Sequence, residues 1–319
     1  MDQRQKQRKH YRSLPYGYYH LCTDGWQGGK LFHTAQQFAL CLAGIAILTL
    51  KYKVQIYAFE VMPNHIHLVL SGSGEQCLEC FYFLIRRINR ILRKHRLPPL
   101  PEDYWFKLVP IEDITSMRRH LVYLARNKYE KGVCTPCGHM WGSGYLLYSQ
   151  IAPQITGTKV KDLPVREVER LVASRTPLPP DWEIHPVLGV LPKCFINMDK
   201  VQELFPSVKD YMTMLVKDYE SYVLISDSLE EEIQWSDQEA KDIVNRLCNQ
   251  LYPQKRIYQL SADEKCRLAV QADSRFHLPL SLLSQILCLS EYLLIQTLHS
   301  KDYGVRHTSG QPVDRTGML

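Results

Sequence analysis

The spacing of apolar positions changes several times along the chain, and each change predicts an element. Tyr18 to Asp24 is a short apolar and aromatic run that reads as a strand, followed by a loop rich in glycine at Gly25, Gly28 and Gly29. Thr34 is placed as a helix N-cap, and the segment from it to about Tyr52 has the apolar content and length of a largely buried helix. Val54 to Val61 and His65 to Leu70 are strand-like, and Met62-Pro63-Asn64 between them supplies the proline and asparagine of a tight turn. A second helix starts near Glu75. In it Phe81, Leu84, Ile88, Ile91 and Leu92 recur at helical spacing, while Arg86, Arg87, Arg90, Arg93 and Lys94 populate the rest of the circumference. Pro98, Pro99 and Pro101 end that helix, a short strand follows around Trp105 to Pro110, and a third helix runs from about Asp113 to Tyr129. The order β-α-β-β-α-β-α predicts an α+β fold. The economical burial is a ferredoxin-like split β-α-β domain over 16–150, with an antiparallel sheet covered by helices on one face.

Beyond Gly144 the pattern differs. The stretch from Thr156 to Asn197 is rich in proline and reads as a linker, bounded at 151–198, with one helix near Val165 to Ser174. Asp199 to Tyr219, Ser236 to Leu251, Ser261 to Ala272 and Leu280 to His299 read as helices, which predicts an all-α domain over 199–300. Within it, Leu280 to Leu289, then Ser290 as an N-cap, then Glu291 to Leu298 has helix-turn-helix spacing; plain helix packing gives the same pattern. Residues 1–15 read as a basic tail and 301–319 as a disordered, polar one.

Composition narrows the classes. With 319 residues, 45% of them hydrophobic, the chain has about two domains' worth of globular sequence. The longest apolar stretch, Phe38 to Leu50, is interrupted by Gly44 and Thr49 and falls short of the ~18 residues of a membrane helix, so no membrane is expected. The basic N-terminus has no apolar core behind it, which excludes a secretory signal and makes the expected location cytoplasmic. Ten cysteines without a disulfide-like framework read as reduced, buried thiols. Cys77-x-x-Cys80 and Cys134-x-x-Cys137 have the paired spacing of a structural zinc set, but the first pair falls at a helix start without knuckle glycines, which favours free thiols. The net charge of +6 is a modest excess, yet its cations cluster, and that makes nucleic acid a candidate partner.

The candidate chemistry begins at His65 and His67. Strand side chains alternate, so both imidazoles point to one face while Ile66, Leu68 and Leu70 take the core-facing side. Two neutral imidazoles one strand-step apart are suited to grip a divalent metal; two ordinary strand histidines make the same pattern. On the third helix Tyr123 and Asn127 are four apart and share a face. A phenol is a poor nucleophile at neutral pH and needs a metal or base beside the scissile phosphate, whereas most helical tyrosines are structural. Arg118, Arg119, Arg126, Lys128 and Lys131 lie around that tyrosine, and with the basic face of 86–96 they could reward a phosphate backbone by counterion release. Trp105 and Trp141 are candidate base-stacking partners.

Val61-Met62-Pro63-Asn64-His65-Ile66-His67-Leu68-Val69 together with Tyr123-Leu-Ala-Arg-Asn127 resembles the signature of the REP-associated tyrosine transposases, a branch of the single-tyrosine HUH transposases. The resemblance spans about Tyr16 to Tyr148. It implies a divalent ion, Mg2+ or Mn2+, held by His65, His67 and Asn127, and Tyr123 as the nucleophile on a DNA phosphate. It implies transesterification on single-stranded or hairpin DNA through a 5′-phosphotyrosine, with a 3′-hydroxyl leaving and a second one able to rejoin, and relatives that are often homodimers. The DNA-binding set is then Arg86, Arg87, Arg90, Arg93, Lys94, Arg118, Arg119, Arg126 and Lys128. The sequence departs from the family where Asn127-Lys128-Tyr129 replaces asparagine-proline-valine. Other readings stay open: a host-adopted relative that nicks repeats without moving itself, a DNA-binding regulator with a degenerate hairpin, and a phosphohydrolase that uses water as its nucleophile.

Overall fold

The computed structural model describes residues 3–25, 29–129, 139–144 and 154–299. Lys131, Cys134, Cys137 and the 301–319 tail lie outside them, as does the side chain of Lys128. The chain forms two compact units, Met1–Glu232 and Ile233–Leu319. The division falls after Glu232 rather than in the proline-rich segment, because the helices that follow that segment pack back onto the first unit.

In the first unit, α1 (Gln3–Ser13) is followed by β1 (Gly17–Thr23), α2 (Ala35–Tyr52), β2 (Gln55–Val61), β3 (Ile66–Gly72), α3 (Gly74–Lys94), β4 (Phe106–Ile111) and α4 (Ile114–Tyr129). The segment read as a basic tail is thus largely helical. Tyr11 anchors it: the ring is buried 5.1 Å from Phe106, and the hydroxyl accepts the Leu108 amide hydrogen at 3.1 Å. α2 starts at a capping box in which Thr34 and Gln37 satisfy each other's backbone amides, and Ser73 with Gln76 does the same for α3.

The four strands form one antiparallel sheet in the order β2-β3-β1-β4, so each helical crossover steps over one strand. Alternation divides its side chains. Phe106 faces α3, where it stacks on Phe81 at 4.2 Å, whereas His20 and His67 face α4. Helices therefore cover both faces, not one. The sequence pattern missed this because the second face is lined by histidine, cysteine and lysine, which do not register as an apolar stripe.

By length and composition alone α2 could cross a membrane, yet more than half of that window is buried inside the protein. Arg87 explains part of how it packs. Expected on the cationic face of α3, this side chain instead lies buried against α2, donating from Nε to the Leu40 carbonyl at 2.8 Å and from its two terminal nitrogens to Val172 and Ala173. Gly44 makes the approach possible, since a Cβ there would sit 2.5 Å from Arg87 Cδ.

The proline-rich segment carries a small sheet, β5 (Thr158–Lys159), β6 (Glu183–His185) and β7 (Gly189–Val190), and α5 (Val165–Val172), both packed on α2. Next come α6 (Met198–Glu203), α7 (Val208–Lys217) and α8 (Tyr219–Leu229). The single helix read over Asp199 to Tyr219 is broken because Pro206 has no amide hydrogen to give and Ser207 caps a new start by accepting from Asp210 N at 3.1 Å. The second unit consists of α9 (Asp237–Leu251), α10 (Ala262–Phe276), α11 (Leu280–Leu287) and α12 (Glu291–His299) around Leu247, Leu268, Leu283 and Leu294. Its last two helices meet at 117°.

Candidate active site

The site is built on the sheet face that α4 covers. Cross-strand register puts Glu60 of β2, His67 of β3, Cys22 of β1 and Lys107 of β4 in one row, and all point to that face. His65 stands just before β3, in a turn closed by the Met62 amide donating to the His65 carbonyl at 2.9 Å. Asn64 bridges two parts of the turn. Its Nδ2 donates to the Gly25 carbonyl at 2.9 Å while its Oδ1 lies 2.8 Å from His65 Nδ1, which orients the ring and turns Nε2 inward. Gly25 admits this contact, because a Cβ on it would lie 3.0 Å from His65 Nδ1.

His65 Nε2 and His67 Nε2 are 2.9 Å apart, and Asn127 Nδ2 is 2.9 Å from the same His67 atom. A half-turn of the Asn127 amide would present its oxygen there instead. On its other side, His67 Nδ1 lies 3.0 Å from His20 Nε2, and His20 Nδ1 lies 2.8 Å from His120 Nδ1. Three buried imidazoles thus form a chain that fixes how His67 is turned. Burial, reinforced by the neighbouring histidines, holds His20 well below the ordinary imidazole value, and burial lowers His120 to about 4.

This has a sign for stability. Between the unfolded value of about 6.5 and the lowered folded values, the unfolded chain binds more protons, so stability is full above about pH 6.5 and falls as the pH drops toward 4. Thermal melts should show Tm declining over that window, less so in His120→Asn. A Tm insensitive to pH between 6.5 and 4.5 would count against the buried neutral chain.

Tyr123 reaches the same place from α4. Its ring centroid is 5.9 Å from those of His20 and His67, and its hydroxyl donates to Glu231 Oε2. Glu231 Oε1 lies 3.4 Å from both His65 Nε2 and His67 Nε2 and accepts from Cys22 Sγ at 3.3 Å. A helix cap delivers Glu231: Glu230 takes the left-handed conformation at the end of α8, and the Glu231 amide donates back to the Ser226 carbonyl at 2.9 Å. Lys107 pins the turn through Glu230. Burial and the Glu231 carboxylate push the Tyr123 phenol well above 10. Tyr222 stacks on it at 5.0 Å, and only 2% of the tyrosine is exposed.

The structure therefore brings together His65, His67, Tyr123 and Asn127, and adds His20, Cys22, His120 and Glu231, which the sequence reading did not include. Two signals were available for most of them. His20 and Cys22 are two apart on a strand, and His120, Tyr123 and Asn127 follow the three-and-four spacing of one helix face. Glu231 had no local signal.

The cationic residues separate. Arg87 and Arg126 are interior: Arg126 donates to the Leu215 carbonyl at 2.9 Å and lies over the rings of Tyr219 and Tyr222. Arg118 donates to the Leu204 carbonyl, while Arg119 is half-buried near Tyr123. Arg86, Arg90, Arg93 and Lys94 are exposed on α3, across the sheet from His67. There Arg90 joins the exposed Arg166, Arg170 and Arg175 around an open groove of about 610 Å3. Trp141 stacks on Phe38 at 5.2 Å and is buried, and Trp105 packs its ring against Phe81 at 5.4 Å. Cys77 and Cys80 are buried in α3, with burial pushing the Cys77 thiol up to about 12.

No family model matches the chain, and no curated protein matches it. Among solved structures, that of a REP-associated tyrosine transposase bound to a REP hairpin is similar at 14% identity. The match covers 44% of this chain and 84% of that one, with a TM-score of 0.36, a likeness too low to carry an argument about this chain.

Proposed function

We propose that this chain cleaves and rejoins DNA strands by metal-dependent transesterification, with Tyr123 as the nucleophile in a ferredoxin-like domain. One observation carries the reading: the Tyr123 hydroxyl and the inward nitrogens of His65 and His67 meet on one carboxylate, with Asn127 beside them. The donor set fits a divalent ion. His65, His67 and Asn127 converge on adjacent positions, and Asn64 and His20 hold the far nitrogens of the two imidazoles. An ion bound there, Mg2+ or Mn2+, would polarise the scissile phosphate and stabilise its developing charge.

The protein's own groups then have definite tasks. Tyr123 supplies the oxygen that bonds to phosphorus, and Glu231 Oε2 is placed to take the phenolic proton as that bond forms. The bond to the 3′-oxygen breaks, that oxygen takes a proton from solvent and leaves as a 3′-hydroxyl while Glu231 returns its proton to solvent, and the 5′ phosphate stays on Tyr123. Another 3′-hydroxyl reverses the step and joins DNA without an external energy source. Tyr222 and α8 cover Tyr123, so a strand reaches it only when that cover lifts.

The test is incubation with labelled single-stranded hairpin DNA from the flanks of the gene, with Mg2+ or Mn2+, followed by denaturing electrophoresis. A denaturant-stable protein–DNA adduct supports the reading. The burial of Tyr123 favours one other, a DNA-binding protein that no longer cleaves, and binding without adduct across several flanking sequences selects it.

We propose that the exposed cations of α3 contact DNA away from the cleaved bond. Replacing Arg86, Arg90 and Arg93 together by alanine should weaken binding and lower the salt slope by about 2 to 3, at about 0.7 to 0.9 per lost phosphate contact. Adduct yield at saturating DNA should hold. An unchanged salt slope in filter-binding measurements would remove α3 from the interface.

A further inference from the structure

We propose that Cys22 and Glu231 join His65 and His67 in a mixed sulfur, nitrogen and oxygen site that selects a transition metal of the Zn2+ type over Mg2+. The inference deepens the proposed site and rests on it for location, but not on DNA cleavage.

Cys22 Sγ, a His67 ring nitrogen and a Glu231 oxygen all lie within 4.8 Å of one another. Several of the separations approach those of donors around one ion. His65 Nε2 to His67 Nε2 is 2.9 Å, each of these to Glu231 Oε1 is 3.4 Å, and Cys22 Sγ to Glu231 Oε1 is 3.3 Å. Tetrahedral donors about 2.0 to 2.3 Å from a metal stand about 3.3 to 3.8 Å apart, so small outward shifts would seat one. The cluster is also placed by the fold rather than by chance rotamers. Cys22 and His67 are cross-strand partners, and Glu231 is delivered by the α8 cap that Lys107 pins. His67 has the second nitrogen of its ring held by His20, the support that metal-bound imidazoles generally have.

Donor chemistry then decides the ion. Mg2+ takes oxygen ligands in near-ideal octahedra and keeps several waters, whereas a thiolate with two imidazoles and one carboxylate suits Zn2+ or Co2+. Binding breaks the S–H bond of Cys22, the sulfur keeps the electron pair as a metal ligand, and the proton leaves to solvent. No oxidation change is involved.

The test is Co2+ titration of the full-length, chelator-treated protein, read by absorption and by metal analysis. We expect one Co2+ per chain, a thiolate-to-cobalt charge-transfer band, displacement by Zn2+ and none by a large excess of Mg2+. Cys22→Ser should lose the band and Glu231→Gln should keep it while weakening Co2+ by about 10-fold or more. Cys288→Ser, at an exposed thiol, should change nothing. Circular dichroism checks that each variant is folded. Bound Co2+ without the band in the wild type, or a band that survives Cys22→Ser, would overturn the site. Running the adduct assay on the same samples separates the two proposals. Adduct with Mn2+ but no thiolate band leaves the cleavage reading standing and removes this one, and a stoichiometric thiolate-bound metal without adduct does the reverse.

Discussion

Tyr123→Phe should abolish the denaturant-stable protein–DNA adduct while leaving DNA binding and folding nearly intact. The substitution removes one oxygen. Phenylalanine keeps the ring that stacks on Tyr222 and packs beside His20 and His67, so the cover over the site and the imidazole chain stay in place. It frees Glu231 from one hydrogen bond to a phenol whose pKa burial has raised, and Glu231 still accepts from Cys22. The expected fall in Tm is a few degrees, with about 1.5 to 3 kcal/mol lost for a hydrogen bond to a carboxylate. The expected change in adduct is to background, because no other oxygen takes the place of a covalent nucleophile. Adduct that persists in Tyr123→Phe at more than a trace would move the nucleophile elsewhere.

Arg87→Ala should cost stability on the order of 3 to 5 kcal/mol, because it leaves the carbonyls of Leu40, Val172 and Ala173 buried without their charged donor and opens space under Gly44. At roughly 2 to 4 °C per kcal/mol for a unit of this size, Tm should fall by about 10 °C. Arg87→Lys should recover little, since one ammonium cannot span three carbonyls as the guanidinium fork does. Arg86→Ala, one position away and exposed, should stay within about 0.5 kcal/mol of the parent. If Arg87→Ala melts like the parent and instead weakens DNA binding, the buried assignment is wrong and the cationic face of α3 is wider than described.

Arg86 and Arg87 show where sequence reasoning reaches its limit. Both carry the same charge on the same helix, and only packing against Gly44 of another helix distinguishes the buried one. Local rules served well where the information is local. Thr34 caps α2, the Met62 to Asn64 turn joins β2 and β3, and the four-residue step sets Tyr123 and Asn127 on one face of α4. The same rules could have flagged His20 and Cys22 by strand alternation. They could not supply Glu231, which lies 108 residues from the tyrosine it contacts and arrives through a left-handed turn at Glu230. Nor could they foresee the break at Pro206 as a division between α6 and α7 packed on the first unit, since a proline can begin a helix as readily as it ends one.

The proposed reaction leaves a DNA phosphate bonded to Tyr123. The most direct test digests the purified protein–DNA adduct with protease and nuclease and locates the modified residue by mass spectrometry. The expected product is a nucleotide linked through its 5′-phosphate to the tyrosine of the peptide that contains His120, Leu121, Val122 and Tyr123. A phosphate linked to any other residue, or cleaved DNA with free 5′-phosphate and unmodified protein, would contradict it.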